Sequence, residues 1–206
     1  VDYGCFAVQA DSPYTSLSQV MDALKEDPTA VRITGTSAVG SMDHIQFLKI
    51  AQAAGVERLG EISYEGFEDG SAAARLMGGR ADLISTGISD VAGLVESGDF
   101  RVLAITAEKR VGSGILAEMP TCIEQGIPAT FFNWRGIFGP PDMPDDVLAF
   151  WENTLRRMTE TREWSEICGE YGWDIAYQDH DTFSGFLETA NTEYAQLLEQ
   201  IGLLHR

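Results

Sequence analysis

The sequence predicts an α/β protein whose mostly parallel sheet is covered by helices. Three observations predict it. Strand and helix patterns alternate from about residue 5 to residue 128, the strand candidates are short apolar runs, and 44% of the 206 residues are hydrophobic against 22% charged. Repeated strand–helix units of this length set strands side by side and carry helices across both faces. The chain is long enough to bury a sizeable core.

The elements follow in order. "CFAVQA" is an apolar run suited to a strand. After the turn "DSPYTS", Leu17, Val20, Met21 and Leu24 mark one helical face, and Ser16 stands where it caps them. "AVRIT" predicts the next strand, followed by a glycine-flanked turn and a helix carrying Ile45, Leu48 and Ala51 inward. "LGEISY" predicts a strand, and "GSAAARLMGG" a short helix ended by Gly78 and Gly79. "ADLIST" reads as a strand, "VAGLVESG" as a helix closed by Gly98, and "FRVLAIT" as a further strand. The loop "EKRVGSGILAEMP" and a short helix before Gly126 close this domain.

The last third differs. "TFFNWRGIFGPP" is an extended segment stopped by Pro140 and Pro141. Three amphipathic helices follow, lined by Val147, Leu148, Trp151, Leu155 and Met158, then by Trp164, Ile167, Cys168 and Tyr171, then by Phe183 to Ile201 at helical spacing. "DIAYQ" offers one more strand among them. Such helices need a partner surface, and this region supplies little sheet. With a first strand that begins almost at once, this points to a part of the molecule N-terminal to Val1.

Charge and spacing exclude several functions. The 32 acidic and 14 basic residues give a net charge of −18, which argues against nucleic acid because phosphate backbones require clustered Lys and Arg. No apolar run approaches the roughly 20 residues of a membrane span, and no basic segment leads into an apolar stretch as a signal peptide would. Cys5, Cys122 and Cys168 lie far apart without a CxxC spacing, so buried thiols are expected rather than metal ligands or a disulfide framework. His44, His180 and His205 are equally scattered, and His205 is expected to be solvated. No cofactor motif is present.

Residues 35–41, Gly-Thr-Ser-Ala-Val-Gly-Ser, are the candidate site. A P-loop would place a lysine before Ser41, and none is there. The dinucleotide fingerprint fails because residue 37 is Ser. A nucleophile elbow would place glycine where Val39 stands. No catalytic residue is therefore assigned, and a serine-dependent α/β hydrolase using Ser37 and His44 stays the competing reading. The residues do supply backbone N–H groups at a helix N-terminus, with the hydroxyls of Thr36, Ser37 and Ser41 beside them. That is a carboxylate cradle without a lysine; the bland alternative is that Ser41 caps the helix and Asp43 favours its first turn. Tyr64 follows the next strand, and Ser85 and Thr86 the one after, where ligands of open α/β sheets bind. Their alternatives are a half-buried strand-end aromatic and a helix cap.

"ADSPYTSLSQVMDALKEDP", "GTSAVGSMDHI", "AQAAGV", "ISYEGFEDGSAAARLMGGRADLISTGISDV", "VLAITAEKR", "MPTCIEQGI" and "FFNWRGIFGPPDMP" occur in that order. Together they resemble the extracytoplasmic solute receptors of tripartite tricarboxylate transporters, the Bug family, over essentially all 206 residues. The resemblance implies a two-lobed, type II periplasmic binding protein fold with the second lobe complete over residues 5–128. Residues 129–206 would be a hinge-crossing strand and helices returning to a partial first lobe. It implies binding without chemistry: a small di- or tricarboxylate captured in the periplasm and delivered to a permease of two unequal membrane subunits. In the family one loop from each lobe meets the carboxylate oxygens, and the second-lobe loop corresponds to Thr36, Ser37, Ala38, Val39, Gly40 and Ser41, with His44 just inside the helix. His44 is either ligand-facing or structural. The family's early first-lobe strands and glycine-rich loop have no match here, so one jaw of two is expected. The segment after Tyr64 is longer than the family's, so Glu65 to Asp69 are not carried over as contacts. Arg135 falls on the crossing strand, either as a counter-charge for a carboxylate or as the partner of an acidic residue. An effector-binding regulatory domain is a third reading, because binding folds of this type recur in sensors and transcription factors.

Overall fold

The computed structural model describes residues 1–112 and 114–204. Ser113, in the loop expected to close the domain, and His205 lie outside the described residues.

Six strands form one sheet: β1 (Asp2–Gln9), β2 (Ile33–Gly35), β3 (Tyr64–Gly66), β4 (Leu83–Gly87), β5 (Phe100–Ile105) and β6 (Phe132–Asn133). Their order is β3-β2-β4-β1-β5, with β6 also pairing with β1. β2 is parallel to both β3 and β4, whereas β1 is antiparallel to β4, β5 and β6. Every strand but β1 thus runs the same way, so the sheet is mostly parallel with one reversed strand near its middle. The crossover helices are α1 (Leu17–Glu26), α2 (Met42–Ala53), α3 (Ala72–Met77) and α4 (Ile88–Glu96).

Burial follows the pleat. Phe6, Val8 and Leu83 face one core with Leu17, Met21, Phe47, Leu48 and Leu197, while Cys5, Ala7 and Ile84 face a second with Leu76, Ile88 and Val91. Alternate residues of one strand feed opposite layers because successive side chains point to opposite faces. Ser16 caps α1 by accepting from the Gln19 N–H, and Leu17, Val20, Met21 and Leu24 are buried as the periodicity predicts. Cys5, Cys122 and Cys168 are free and buried, and burial pushes the Cys122 thiol up to about 12.

Three expectations need correction. "DIAYQ" is not a strand: its pairing stops at Asp174, which exchanges backbone hydrogen bonds with Val1, and the residues after it carry no ladder. The extended segment contributes only the two residues of β6, because Pro140, Pro141 and exposed residues follow at once. The strand expected in "LGEISY" begins at Tyr64, and Leu59–Glu61 forms a single 3-10 turn instead.

Three helices complete the chain: α5 (Asp145–Thr159), α6 (Arg162–Tyr171) and α7 (His180–Gln200). α7 packs Leu197, Tyr194 and Leu198 against the first core. α5 buries none of its residues and α6 only Cys168, leaving Phe150, Trp151 and Ile167 exposed beside Ile137 and Phe138. Among the described residues no helix is long and apolar enough to cross a membrane.

Candidate functional site

The loop from Thr36 to Ser41 joins the carboxyl end of β2 to the N-terminus of α2. Two glycines give it its path. Gly40 takes φ +81°, a left-handed conformation that side chains disfavour. Gly66 lies so close that a Cβ there would stand 2.0 Å from the Ser37 carbonyl oxygen. A turn follows from the Ser41 N–H to the Ala38 carbonyl at 2.9 Å.

Each amide of the loop can be accounted for. The Thr36 N–H donates to Asp43 Oδ2 at 2.8 Å, and the Gly40 N–H to His44 Nδ1 at 3.0 Å. The Asp43 N–H donates to Ser37 Oγ at 3.0 Å. Ser37, six residues ahead, therefore caps α2, while Ser41 at the N-cap position makes no side-chain cap bond. Among the described residues the N–H groups of Ser37, Ala38 and Val39 have no partner. Ala38 and Val39 are exposed, so three successive donors face outward at the positive end of a twelve-residue helix.

His44 and Tyr64 support this loop from below. Their rings stack with centroids 4.3 Å apart, and the Tyr64 hydroxyl donates to the Ser37 carbonyl at 2.8 Å. Burial lowers the His44 pKa to about 4, so the ring is neutral at physiological pH. Its Nδ1 accepts the Gly40 N–H, which puts the ring proton on Nε2. Burial pushes the Tyr64 phenol above its ordinary range, which keeps it a donor.

Ser85 and Thr86 lie deeper than their strand-end position predicts. Both are 0% exposed. The Ser85 hydroxyl donates to the Asp43 carbonyl at 2.7 Å and accepts from Gln46 Nε2 at 2.8 Å. The Thr86 hydroxyl donates to Asp90 Oδ2 at 2.7 Å. The physical reason is that β4 is flanked by β2 and β1 and the first turns of α2 and α4 cover its end. In this conformation the two residues hold the loop rather than line an open lip.

Arg135 is half-exposed and pairs with the buried Asp2, Nη2 to Oδ2 at 3.6 Å, and its guanidinium lies 4.7 Å over the Trp173 ring. Burial raises the Asp2 pKa, with Arg135 pulling the other way. The acidic-partner alternative is the one this geometry contains.

Sequence reasoning took Asp43 only as a first-turn acid and passed over Gln46. Both are buried in the first turns of α2, and burial raises the Asp43 carboxyl against hydrogen bonds from Thr36 and Ser37. Spacing offered no signal for them, because residues Asp43 to Leu48 are buried in succession and no single inward face separates the polar Asp43, His44 and Gln46 from the apolar residues. A surface hollow of about 400 Å³ lined by Ser71, Ala74, Arg75, Gly78 and Arg80 involves none of the loop residues.

Ser37 and His44 do not form a catalytic pair here. The Ser37 hydroxyl takes the Asp43 amide, His44 Nδ1 takes the Gly40 amide, and no hydrogen bond joins the two side chains among the described residues.

The mostly parallel sheet with one reversed strand is shared with solved periplasmic binding proteins. The solved structures that resemble it agree. A solute-binding protein from Polaromonas, solved without ligand, matches at 20% identity and TM-score 0.74, covering 97% of this chain and 66% of its own. An R. palustris protein solved with adipate matches at 21% and 0.78, covering 98% and 66%. MatC from Rhodopseudomonas palustris, solved with bound malate, matches at 16% and 0.72, covering 97% and 66%. The chain thus spans slightly less than two thirds of the length of these structures. No curated protein matches it. The tripartite tricarboxylate transporter family receptor model matches residues 4–203, and the chain belongs to that family.

Proposed function

We propose that this chain is part of a solute receptor that captures a small organic di- or tricarboxylate for a tripartite tricarboxylate-type transporter. The observation that carries the reading is the run of three unpartnered amides, Ser37 to Val39, at the N-terminus of α2. Such a group binds a carboxylate through charge-assisted hydrogen bonds without a basic side chain. In a chain of net charge −18, local donors of this kind are what an anion requires. The Ser37 and Ser41 hydroxyls belong to the same loop, and His44 lies beneath it with Nδ1 on the Gly40 N–H. Tyr64, Ser85 and Thr86 keep the loop in place, and Arg135 acts through Asp2. Relatives of the fold solved with adipate and malate support a dicarboxylate.

In this reading the protein works in the periplasm, hands its ligand to the membrane subunits of the transporter and catalyses no reaction. Residues 5–128 form the second lobe, which carries the loop, and residues 129–206 cross the hinge and return to a partial first lobe. The uncovered apolar face of α5 and α6 supports that division, because Phe150, Trp151 and Ile167 lack a neighbouring layer.

Calorimetric titration of the complete polypeptide with citrate, malate and succinate tests the proposal. Saturable binding of at least one of them is expected, weakened when Ala38→Pro removes one amide. A fluorophosphonate probe covers the rival class. Labelling of Ser37 together with no carboxylate binding would replace this reading with a hydrolase.

A further inference from the structure

The end of α7 reaches back to the amide cradle. It is tied to α2, the helix whose N-terminus carries the loop. Lys49 Nζ pairs with Glu193 Oε2 at 2.9 Å, and Gln52 Nε2 donates to Gln200 Oε1 at 2.9 Å. Leu197, Leu198 and Ile201 pack on the first core. Gly60 makes room for this end, since a Cβ there would stand 3.4 Å from the Ile201 α-carbon.

The way the helix stops then aims two side chains. Gly202 takes φ +75°, which side chains disfavour. Its N–H donates to the Glu199 carbonyl at 3.1 Å, and the Leu203 N–H donates to the Leu198 carbonyl at 2.9 Å. These two bonds make a Schellman motif, which turns the residue after the glycine back toward the last helical turn. Leu198 and Leu203, the apolar pair of that motif, converge on Gly40. A Cβ built on Gly40 would lie 3.1 Å from Leu203 Cδ1 and 3.5 Å from Leu198 Cδ2, with no other residue within 4 Å among the described residues beyond its chain neighbours. Gly40 is therefore held twice, through its N–H by His44 Nδ1 at 3.0 Å and through its α-carbon by the two leucines. It directly follows the three unpartnered amides and makes the left-handed turn that sets their path. Leu203 is 49% exposed and Leu204 40%, so the two differ little in burial, yet only Leu203 reaches Gly40.

We infer that Leu198 and Leu203 are positioning residues of the anion site: the helix-stop motif holds them on Gly40 and keeps the amides of Ser37, Ala38 and Val39 in one conformation before the anion arrives. The inference rests on the proposed carboxylate site. Donors ordered beforehand bind more tightly, because the anion does not have to supply the ordering.

The test reads two quantities on the complete receptor. One is calorimetric affinity for succinate, malate and citrate, and the other is hydrogen exchange of the Gly40 amide without ligand. Leu203→Ala is expected to weaken anion binding by about three- to tenfold, the cost of releasing about one residue of backbone. It should also speed Gly40 exchange, with the melting temperature nearly unchanged. Leu203→Met, which keeps a flexible side chain over Gly40, is expected to restore both readings. Leu204→Ala removes a side chain of the same size from the same turn and is expected to leave both at the parent value. Gly202→Ala removes no contact, because open space surrounds that α-carbon, but it strains the turn that aims Leu203. It is expected to copy Leu203→Ala, and it decides the matter if Leu203→Ala fails to fold. Parent-like affinity in Leu203→Ala, or an equal loss in Leu204→Ala, overturns the inference and leaves the carboxylate site intact. Absence of binding by all three anions in the parent overturns the carboxylate site itself. The Gly40 exchange rates keep that outcome separate, because they report the grip of the leucines without any ligand.

Discussion

Removing one oxygen atom from Tyr64 tests how the cradle is aimed. The Tyr64 hydroxyl donates to the Ser37 carbonyl at 2.8 Å. That carbonyl and the Ala38 N–H belong to one rigid, planar peptide. Holding the oxygen therefore points the amide hydrogen the opposite way, to the side where the proposed carboxylate would bind. Tyr64→Phe deletes this hydrogen bond and keeps the ring that stacks on His44 at 4.3 Å. The lost bond costs about 1 kcal/mol of stability, at the lower end for a buried pair because Ser37 is only half-buried and water reaches its carbonyl. If the freed peptide must be re-oriented on binding, carboxylate affinity falls by a similar free energy, or about fivefold. Thermal unfolding and calorimetric titration of the parent and variant measure the two quantities. Parent-like affinity in a variant that has lost stability would refute the idea that Tyr64 aims the cradle.

Three further outcomes follow from the same geometry. Gly66→Ala puts a Cβ 2.0 Å from the Ser37 carbonyl oxygen and is expected to destabilise by about 1–3 kcal/mol, read as a lower melting temperature, with weakened anion binding. His44, with its pKa lowered to about 4, is expected to stay neutral in nitrogen NMR titrations at pH 6, with the proton on Nε2. Because the unfolded chain binds that proton near 6.5, the stability His44 contributes is complete above pH 6.5 and lost as pH falls through about 4. Arg135→Ala leaves Asp2 buried without its guanidinium. Asp2 already has a raised pKa, so the folded state binds its proton more readily and stability falls as pH rises through the carboxylate range; the variant is expected to show a steeper fall in denaturant titrations.

The periodic parts of the molecule were legible residue by residue. Leu17, Val20, Met21 and Leu24 sit one helical turn apart, so spacing alone identified the buried face of α1, and Ser16 marked its start. The glycine-flanked turn after β2 was readable as a donor-rich loop because its composition excludes a lysine and a nucleophile elbow. The family was readable because its ordered segments are local strings, and the match over residues 4–203 bears that out.

Direction, depth and polar contacts were not readable. "CFAVQA" forms a strand whichever way it runs, and only the positions of β4 and β5 on either side decided that β1 lies antiparallel. Ser85 and Thr86 were expected to follow a strand as ligand-contacting residues do, yet they lie inside β4, and the packing of α2 and α4 over it buried both hydroxyls. Asp43 looked like any first-turn acid, although its carboxylate holds the root of the loop. The reason is common to all three. Local sequence sets which conformation a segment prefers, but the charge state and reach of a side chain depend on neighbours from distant parts of the chain, which only the folded sheet brings within hydrogen-bonding distance.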